Sequence, residues 1–143
     1  MKCLKDLFKK KEVIKENLSE YKFSKRSLAH LDTCDIQLKY LALEVIKEVD
    51  LTIIDSHRNK VKQDMYYDRG ASTKKFPNSK HNDFPSLAFD FIPCPFKGWK
   101  DVDDFKRVIK VIKKCAKRLK IKIRCGADFK KFSDYPHIEK VEK

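Results

Sequence analysis

The chain has 143 residues, 41% of them hydrophobic and 38% charged, which suits one domain with a sizeable core and a well-solvated surface. No apolar run approaches the roughly 20 residues of a membrane span, and the start lacks the about 7–15 consecutive apolar residues of a secretory signal. The net charge of +13 favours anionic partners such as nucleic acid, wall polymers or membrane surfaces, although the excess lysines are spread along the whole chain.

The first predicted element is a basic helix. Residues 1–20 place several apolar side chains roughly on one side of a helix within a lysine-rich background. We therefore expect a helical arm over residues 1–23 and a single domain over residues 24–143. The pattern leaves open whether the first 20 residues are an appended arm, an interfacial helix or part of the core.

The central part of the chain predicts a helix, a strand, a second helix and a loop. Residues 36–49 follow the helical period, and Asp35 can cap their start. Residues 51–54 read as a short strand, and the short helix after them ends at Gly70. Residues 71–86 are rich in Ser, Pro, Asn and Lys and predict a loop whose length indicates a functional segment.

The C-terminal part predicts three strands and the longest helix. Residues 87–92 carry apolar side chains on both faces, which is typical of a buried strand. Asp101 can cap a strongly amphipathic helix over residues 102–120. Strands follow over residues 121–125 and 135–141. This order of elements predicts a mixed α+β domain.

Asp90 is the residue that this pattern does not explain. It lies inside a predicted buried strand, where an unpaired carboxylate would cost several kcal/mol or more. One solution is a turn cap or an ion pair with Lys or Arg; another is a metal ion shared with His81 and His137. Two imidazoles and a carboxylate suit catalytic zinc, which leaves its fourth position for water. The five cysteines contain no Cys-x-x-Cys pair, so free thiols rather than a cysteine zinc site are expected.

Two short segments extend this idea into a family resemblance. SKHNDFPSLAFD at 79–90 and DYPH at 134–137 resemble the signature of VanY-type D-Ala-D-Ala carboxypeptidases, zinc peptidases that include the L-alanyl-D-glutamate endopeptidases of phage lysins. The signature positions are filled by Ser79, His81, Ala88, Asp90, Asp134 and His137. The similarity covers roughly residues 24–140 and implies the hedgehog/DD-peptidase-like fold, a small, mostly antiparallel sheet flanked by helices.

The resemblance implies roles for residues of the metal centre. His81, Asp90 and His137 would bind Zn²⁺, and Asp134 would be the general base that takes a proton from the attacking water. Glu139 is a rival base, or it orients His137 from behind. One departure concerns the spacing, because eight residues separate the first histidine from the aspartate where the common signature has six.

The resemblance also implies residues that contact the substrate. Arg58, in the segment SHRN, would hold a substrate carboxylate or the developing oxyanion, and Ser79 and Gln63 would donate hydrogen bonds to the substrate. His57 should point away from Arg58, and His30 is expected to be exposed in a polar stretch.

The predicted function is that of a zinc-dependent peptidoglycan peptidase of the phage endolysin type, cutting the stem peptide at L-Ala–D-Glu. A D-Ala-D-Ala carboxypeptidase with the same site is the alternative, and a basic nucleic-acid-binding domain is the alternative of another class, although no nucleic-acid-binding signature occurs. A metal-binding relative without catalysis is a third. The expected partners are the stem peptide and, nonspecifically, anionic wall polymers. We expect a monomer, made in the host cytoplasm without a signal peptide and acting on the bacterial cell wall.

Overall fold

The computed structural model describes residues 20–142, so most of the arm predicted over residues 1–23 lies outside the described residues. The helices are α1 (Lys25–Asp32), α2 (Ile36–Val45), α3 (Lys60–Asp68) and α4 (Val102–Leu119). The strands are β1 (Leu51–Asp55), β2 (Ala88–Pro93), β3 (Ile123–Cys125) and β4 (His137–Lys140). Two short 3-10 turns cover Lys80–Asn82 and Gly126–Asp128. None of the described helices has the length and apolar character needed to cross a membrane.

The four strands form one antiparallel sheet in the order β1-β2-β4-β3. This arrangement confirms the predicted α+β class with a small antiparallel sheet. Asp90 lies directly opposite His137, and Arg124 lies directly opposite Glu139. An irregularity in the register of β1 also brings Asp55 opposite Asp90. Two of the three predicted metal ligands therefore meet through backbone pairing alone.

The sheet has one apolar and one polar face, because side chains alternate along a strand and directly paired residues share a face. The apolar face belongs to the core and carries Ile53, Phe89, Phe91, Cys125 and Ile138. The polar face carries Asp55, Asp90, Arg124, His137 and Glu139. Burial of the first face fixes the register of every strand, and this register aligns the polar residues.

Helix α4 covers the core face and matches its prediction closely. Asp101 caps it by accepting a hydrogen bond from the backbone of Asp104, and the helix ends at Lys120, which adopts the left-handed conformation. Its buried stripe, which includes Phe105 and Ile112, joins the same core as Ile138 of β4. The side chains of α4 therefore support the sheet from the face opposite to His137.

Two elements near the N-terminus differ from expectation. Helix α2 ends at Val45 rather than near residue 49, because the chain tightens there into i→i−3 hydrogen bonds such as that from the Glu48 amide to the Val45 carbonyl. Helix α1 was not predicted, since it has few apolar residues. Ser24 caps it, and its buried Ser27 hydroxyl accepts a hydrogen bond from the Ile53 amide.

Candidate functional site

Three side chains converge on the polar face of the sheet. His81 lies in the 3-10 turn that Ser79 caps, and Asp90 and His137 come from the paired strands β2 and β4. The His81 Nε2, Asp90 Oδ1 and His137 Nδ1 atoms are 3.2 Å apart in every pairing. This trio could hold a metal ion.

The size of this triangle fits a small tetrahedral cation. Ligand bonds of about 2.0–2.1 Å in a tetrahedral zinc site imply donor atoms about 3.3–3.4 Å apart, close to the 3.2 Å found for His81, Asp90 and His137. Three protein donors are the number that catalytic zinc sites use, whereas closed structural sites use four.

The hydrogen bonds behind the two imidazoles set their tautomers. His81 Nδ1 lies 2.7 Å from the Ser56 carbonyl oxygen, which can only accept, so this nitrogen carries the proton and Nε2 has a lone pair. His137 Nε2 lies 2.9 Å from the Glu139 carboxylate, which likewise leaves the lone pair on Nδ1. When both rings are neutral, two nitrogen lone pairs and a carboxylate oxygen face one another, and either a proton or a metal cation relieves their repulsion.

The close approach of these three side chains also changes how strongly His137 and Asp90 bind protons. Burial lowers the pKa of His137, but its hydrogen bonds to Asp90 and Glu139 outweigh burial and raise that pKa to about 9. Burial raises the pKa of Asp90, yet the charges and hydrogen bonds of His81 and His137 hold it well below its usual value. A group of atoms that attracts a proton this strongly also attracts a divalent cation, which would compete for the same lone pairs.

Arg58 resolves the problem of the buried Asp90. Its Nη2 donates to Asp90 Oδ2 at 3.0 Å, while its Nε donates to Asp55 Oδ2 at 2.6 Å. Asp90 thus turns one oxygen to a guanidinium and the other to the two histidines. Arg58 is 8% exposed, its guanidinium lies 4.7 Å from the centre of the Tyr66 ring, and Lys62 completes the group by pairing with Asp55.

Removing this guanidinium should destabilise the whole domain. We expect Arg58→Gln to lower the free energy of unfolding by about 3 kcal/mol, because two buried carboxylates would lose their shared partner while Lys62 still pairs with one of them. Chemical denaturation measures this change. Arg118→Gln is the matched control, since its ion pairs with Glu44 and Glu48 are exposed and should contribute little. Equal stabilities of the two variants would contradict the assignment.

Ser79 and Gln63 lie close to the trio, and both side chains form hydrogen bonds within the protein. The Ser79 hydroxyl accepts from the His81 amide at 3.3 Å and so fixes the turn that presents this histidine. Gln63 is fully buried; its amide nitrogen donates to the Ser72 hydroxyl and the Lys74 carbonyl, and its oxygen accepts from Arg58 and Asn82. Ser79 belongs to the 71–86 loop, and Gln63 holds that loop against the site through Ser72 and Lys74.

Asp134 comes from the turn that precedes β4. Its backbone amide donates to the Gly126 carbonyl at 2.8 Å, and its own carbonyl accepts from the His137 amide at 3.1 Å. Burial and then the charge of Asp90 raise the pKa of the Asp134 carboxyl, which also senses His137, His81 and Arg58. A Cβ at Gly126 would come within 2.1 Å of the Asp134 carbonyl oxygen, so the close approach of these segments requires glycine.

Sequence reasoning missed several residues that complete the site. Asp55 binds Arg58, and the Ser56 carbonyl orients His81; both directly follow the LTII strand, at the end where the polar face begins. Asn82 completes the capping box with Ser79. His30 is half-buried rather than exposed, with its Nδ1 3.0 Å from the Ser56 hydroxyl, and burial lowers its pKa.

His57 lies outside the trio, as expected. Its Nδ1 lies 3.1 Å from the carbonyl oxygen of Asp83, and its ring packs edge-on against Phe84 at 5.1 Å. The adjacent residue Arg58 points into the site and bonds Asp90, so the two neighbouring side chains point in different directions.

Comparisons with known proteins identify the family of this chain. The model of the phage L-alanyl-D-glutamate peptidase family matches residues 19–142. The L-alanyl-D-glutamate peptidase of Escherichia phage T5 is 32% identical over 120 residues, covering 80% of this chain and 86% of that protein. The structure of the L-Ala D-Glu endopeptidase ChiX of Serratia marcescens has the same fold, with a TM-score of 0.73, 18% identity and coverage of 85% of this chain and 92% of that one. The chain therefore belongs to the phage L-alanyl-D-glutamate peptidase family.

Proposed function

We propose that the protein is a zinc-dependent peptidoglycan peptidase of the endolysin type that hydrolyses the L-Ala–D-Glu bond of the stem peptide. The observation that carries this proposal is the equilateral trio of His81 Nε2, Asp90 Oδ1 and His137 Nδ1, with the half-buried Asp134 carboxyl close enough to sense their charges, in a chain of this family. Hydrolysis of this kind needs a metal site, a base and an open position for water; the trio would supply the site with its open position, and Asp134 would supply the base.

Zinc suits the trio better than calcium or magnesium does. Two imidazole nitrogens and one carboxylate oxygen are typical zinc donors, whereas calcium and magnesium prefer six or more oxygen ligands. A zinc ion bound there would act as a Lewis acid and lower the pKa of a bound water toward about 7. His81, Asp90 and His137 would hold it, with Ser56 and Glu139 keeping each imidazole in the tautomer that binds metal.

Asp134 is proposed as the general base. Its raised pKa favours accepting a proton from the attacking water, and the carboxylic acid so formed can deliver that proton to the leaving amine of D-glutamate. Glu139 is the less suitable base, because its carboxylate is already bonded to His137 Nε2 at 2.9 Å. We assign Glu139 to the orientation of His137 and Asp134 to proton transfer.

Of the three predicted substrate contacts, by Arg58, Ser79 and Gln63, we keep only that of Ser79. Arg58 gives donors to Asp55, Asp90 and Gln63, so we propose that it mainly holds Asp90 in the orientation that presents Oδ1 to the metal. Ser79 still has a hydroxyl proton to donate, and this proton is the substrate contact that we retain. Gln63 is saturated, and we propose that it acts through the 71–86 loop.

The wall is the proposed place of action. A peptidase of the stem peptide meets anionic polymers there, and a surface with a net charge of +13 would be attracted to them nonspecifically. We propose that the protein reaches the wall from the host cytoplasm at lysis. We also propose that it acts as a monomer, which size-exclusion chromatography with light scattering measures. The boundary between an arm over residues 1–23 and a domain over residues 24–143 stays a prediction.

Digestion of purified peptidoglycan followed by mass spectrometry of the fragments tests the activity. We expect fragments cut between L-alanine and D-glutamate, loss of cutting after chelator dialysis, and recovery with about one equivalent of zinc. Release of terminal D-alanine alone would instead indicate the carboxypeptidase. Cutting that survives complete metal removal would contradict zinc dependence, and salt-sensitive nucleic-acid binding without any hydrolysis would favour the nucleic-acid-binding alternative.

A further inference from the structure

Two cations near the metal trio form no ion pair with any described residue. Arg124 lies in β3 on the polar face of the sheet, and Lys74 lies in the 71–86 loop. Both side chains are exposed. By contrast, Arg58 and Lys62 on this side of the sheet already form ion pairs, Arg58 with Asp55 and Asp90 and Lys62 with Asp55. Among the described residues, Arg124 and Lys74 are therefore two cations that remain available to an incoming anion.

Arg124 is fixed close to His137. It lies directly opposite Glu139 in the β3–β4 pairing, which puts their Cβ atoms about 4.5–5.5 Å apart. Its guanidinium carbon lies 4.5 Å from the centre of the Phe129 ring, and that ring lies 5.6 Å from the ring of His137. A contact with an aromatic ring uses the face of the guanidinium and leaves N–H donors at its edge for a planar carboxylate.

The backbone of Lys74 is fixed beside the site. Its carbonyl accepts a hydrogen bond of 2.6 Å from the buried Gln63, whose oxygen in turn contacts Arg58. These contacts place the backbone of Lys74 beside Gln63 and Arg58, and the exposed side chain of Lys74 carries a charge that no described residue pairs.

The two cations fit the chemistry of the proposed substrate. Glutamate has two carboxylates, and a peptide chain that continues from one of them leaves the other free beside the scissile bond. A free carboxylate near the metal needs a partner, and Arg58, the arginine predicted for this task, already bonds Asp55 and Asp90. We propose that Arg124, assisted by Lys74, binds this free carboxylate of D-glutamate and thereby selects the substrate. This inference rests on the proposed function, whose scissile bond it uses.

A purely structural role for Arg124 gives a different expectation. If Arg124 served only to balance the charge of Glu139, its removal would act through His137 on metal binding and would affect every substrate equally. If Arg124 binds the substrate, its removal should affect only substrates with a free carboxylate, and it should raise KM more than it lowers kcat.

Steady-state hydrolysis of two synthetic stem peptides by the zinc-loaded protein tests the proposal. The peptides differ only in carrying a free carboxylate or a carboxamide on glutamate. We expect the wild type to prefer the acid by about tenfold in kcat/KM, since an exposed charge-assisted contact contributes this order of magnitude. Arg124→Gln should raise KM for the acid by about tenfold and leave the amide unchanged, Lys74→Gln should do so by a few fold, and Arg124→Lys should recover part of the preference.

Controls separate this proposal from the proposed function. Lys110→Gln removes an exposed lysine from α4, on the core side of the sheet, and should leave both peptides unaffected. Zinc content, measured by mass spectrometry, should stay the same in all variants. An equal loss on both peptides in Arg124→Gln, or a wild type without preference for the acid, overturns the carboxylate site. A wild type that cleaves neither peptide overturns the proposed function; calorimetric binding of the acid against the amide peptide then decides the carboxylate site by itself.

Discussion

Replacing His137 with alanine should remove both zinc and hydrolysis. The imidazole supplies one corner of the 3.2 Å triangle, and His81 and Asp90 alone would leave two protein ligands, too few for a catalytic zinc site. We expect the zinc content to fall from about one ion per chain to background. Cutting of peptidoglycan should fall to the level of the chelated wild type. Mass spectrometry of the metal and a turbidity assay on purified walls measure the two effects.

The matched control is His57→Ala. This substitution removes an imidazole whose ring nitrogen faces the Asp83 carbonyl oxygen, away from the trio. Zinc and hydrolysis should both persist in it. Retention of stoichiometric zinc by His137→Ala, or its equal loss from His57→Ala, would contradict the assignment of ligands. Circular dichroism of both variants distinguishes loss of the metal from loss of the fold.

Asp134→Ala should separate metal binding from catalysis. The carboxyl is not a member of the trio, and the segment that carries it is held through its backbone by Gly126 and His137, so removal of the side chain should leave the ligands in position. We expect about one zinc per chain, as in the wild type. The value of kcat should fall by about 10²–10⁴, the usual contribution of a positioned general base.

Glu139→Gln provides the comparison for Asp134→Ala. The amide can still contact His137 Nε2 through its oxygen, but it can no longer act as a base. We expect a smaller loss of activity together with weaker zinc binding, because the carboxylate that strengthens His137 as a ligand is gone. Full activity in Asp134→Ala alongside an inactive Glu139→Gln variant would exchange the two roles.

Elements with strong local signals could be predicted from the sequence. Helix α4 has a complete buried stripe, an Asp101 cap and charged residues elsewhere, so its bounds differ from the prediction by about one residue at the C-terminal end. Helix α1 offers few apolar positions and is stabilised by distant contacts such as that of Ser27 with Ile53. Such contacts between residues far apart in sequence leave no local periodicity to detect.

The trio could be identified from the sequence because its three residues belong to a sequence motif. The residues around the trio come together only in the fold. Nothing near Asp90 in sequence indicates that Arg58 would donate to it, since 32 positions separate them and β1 pairing brings them together. The longer spacing between His81 and Asp90 likewise has a structural answer. The intervening loop is anchored to the segment before α2, where the Ser86 carbonyl accepts from the Asp35 amide at 2.8 Å and the Ser86 amide donates to the Thr33 carbonyl at 2.7 Å.

The most direct test of the metal centre is a crystal structure of the zinc-loaded protein with anomalous data collected at the zinc edge. We expect a single strong peak about 2.0–2.2 Å from His81 Nε2, Asp90 Oδ1 and His137 Nδ1, with a water in the fourth position. A peak bound by other residues, or the three side chains separated with zinc present in solution at saturating concentration, would contradict the assignment.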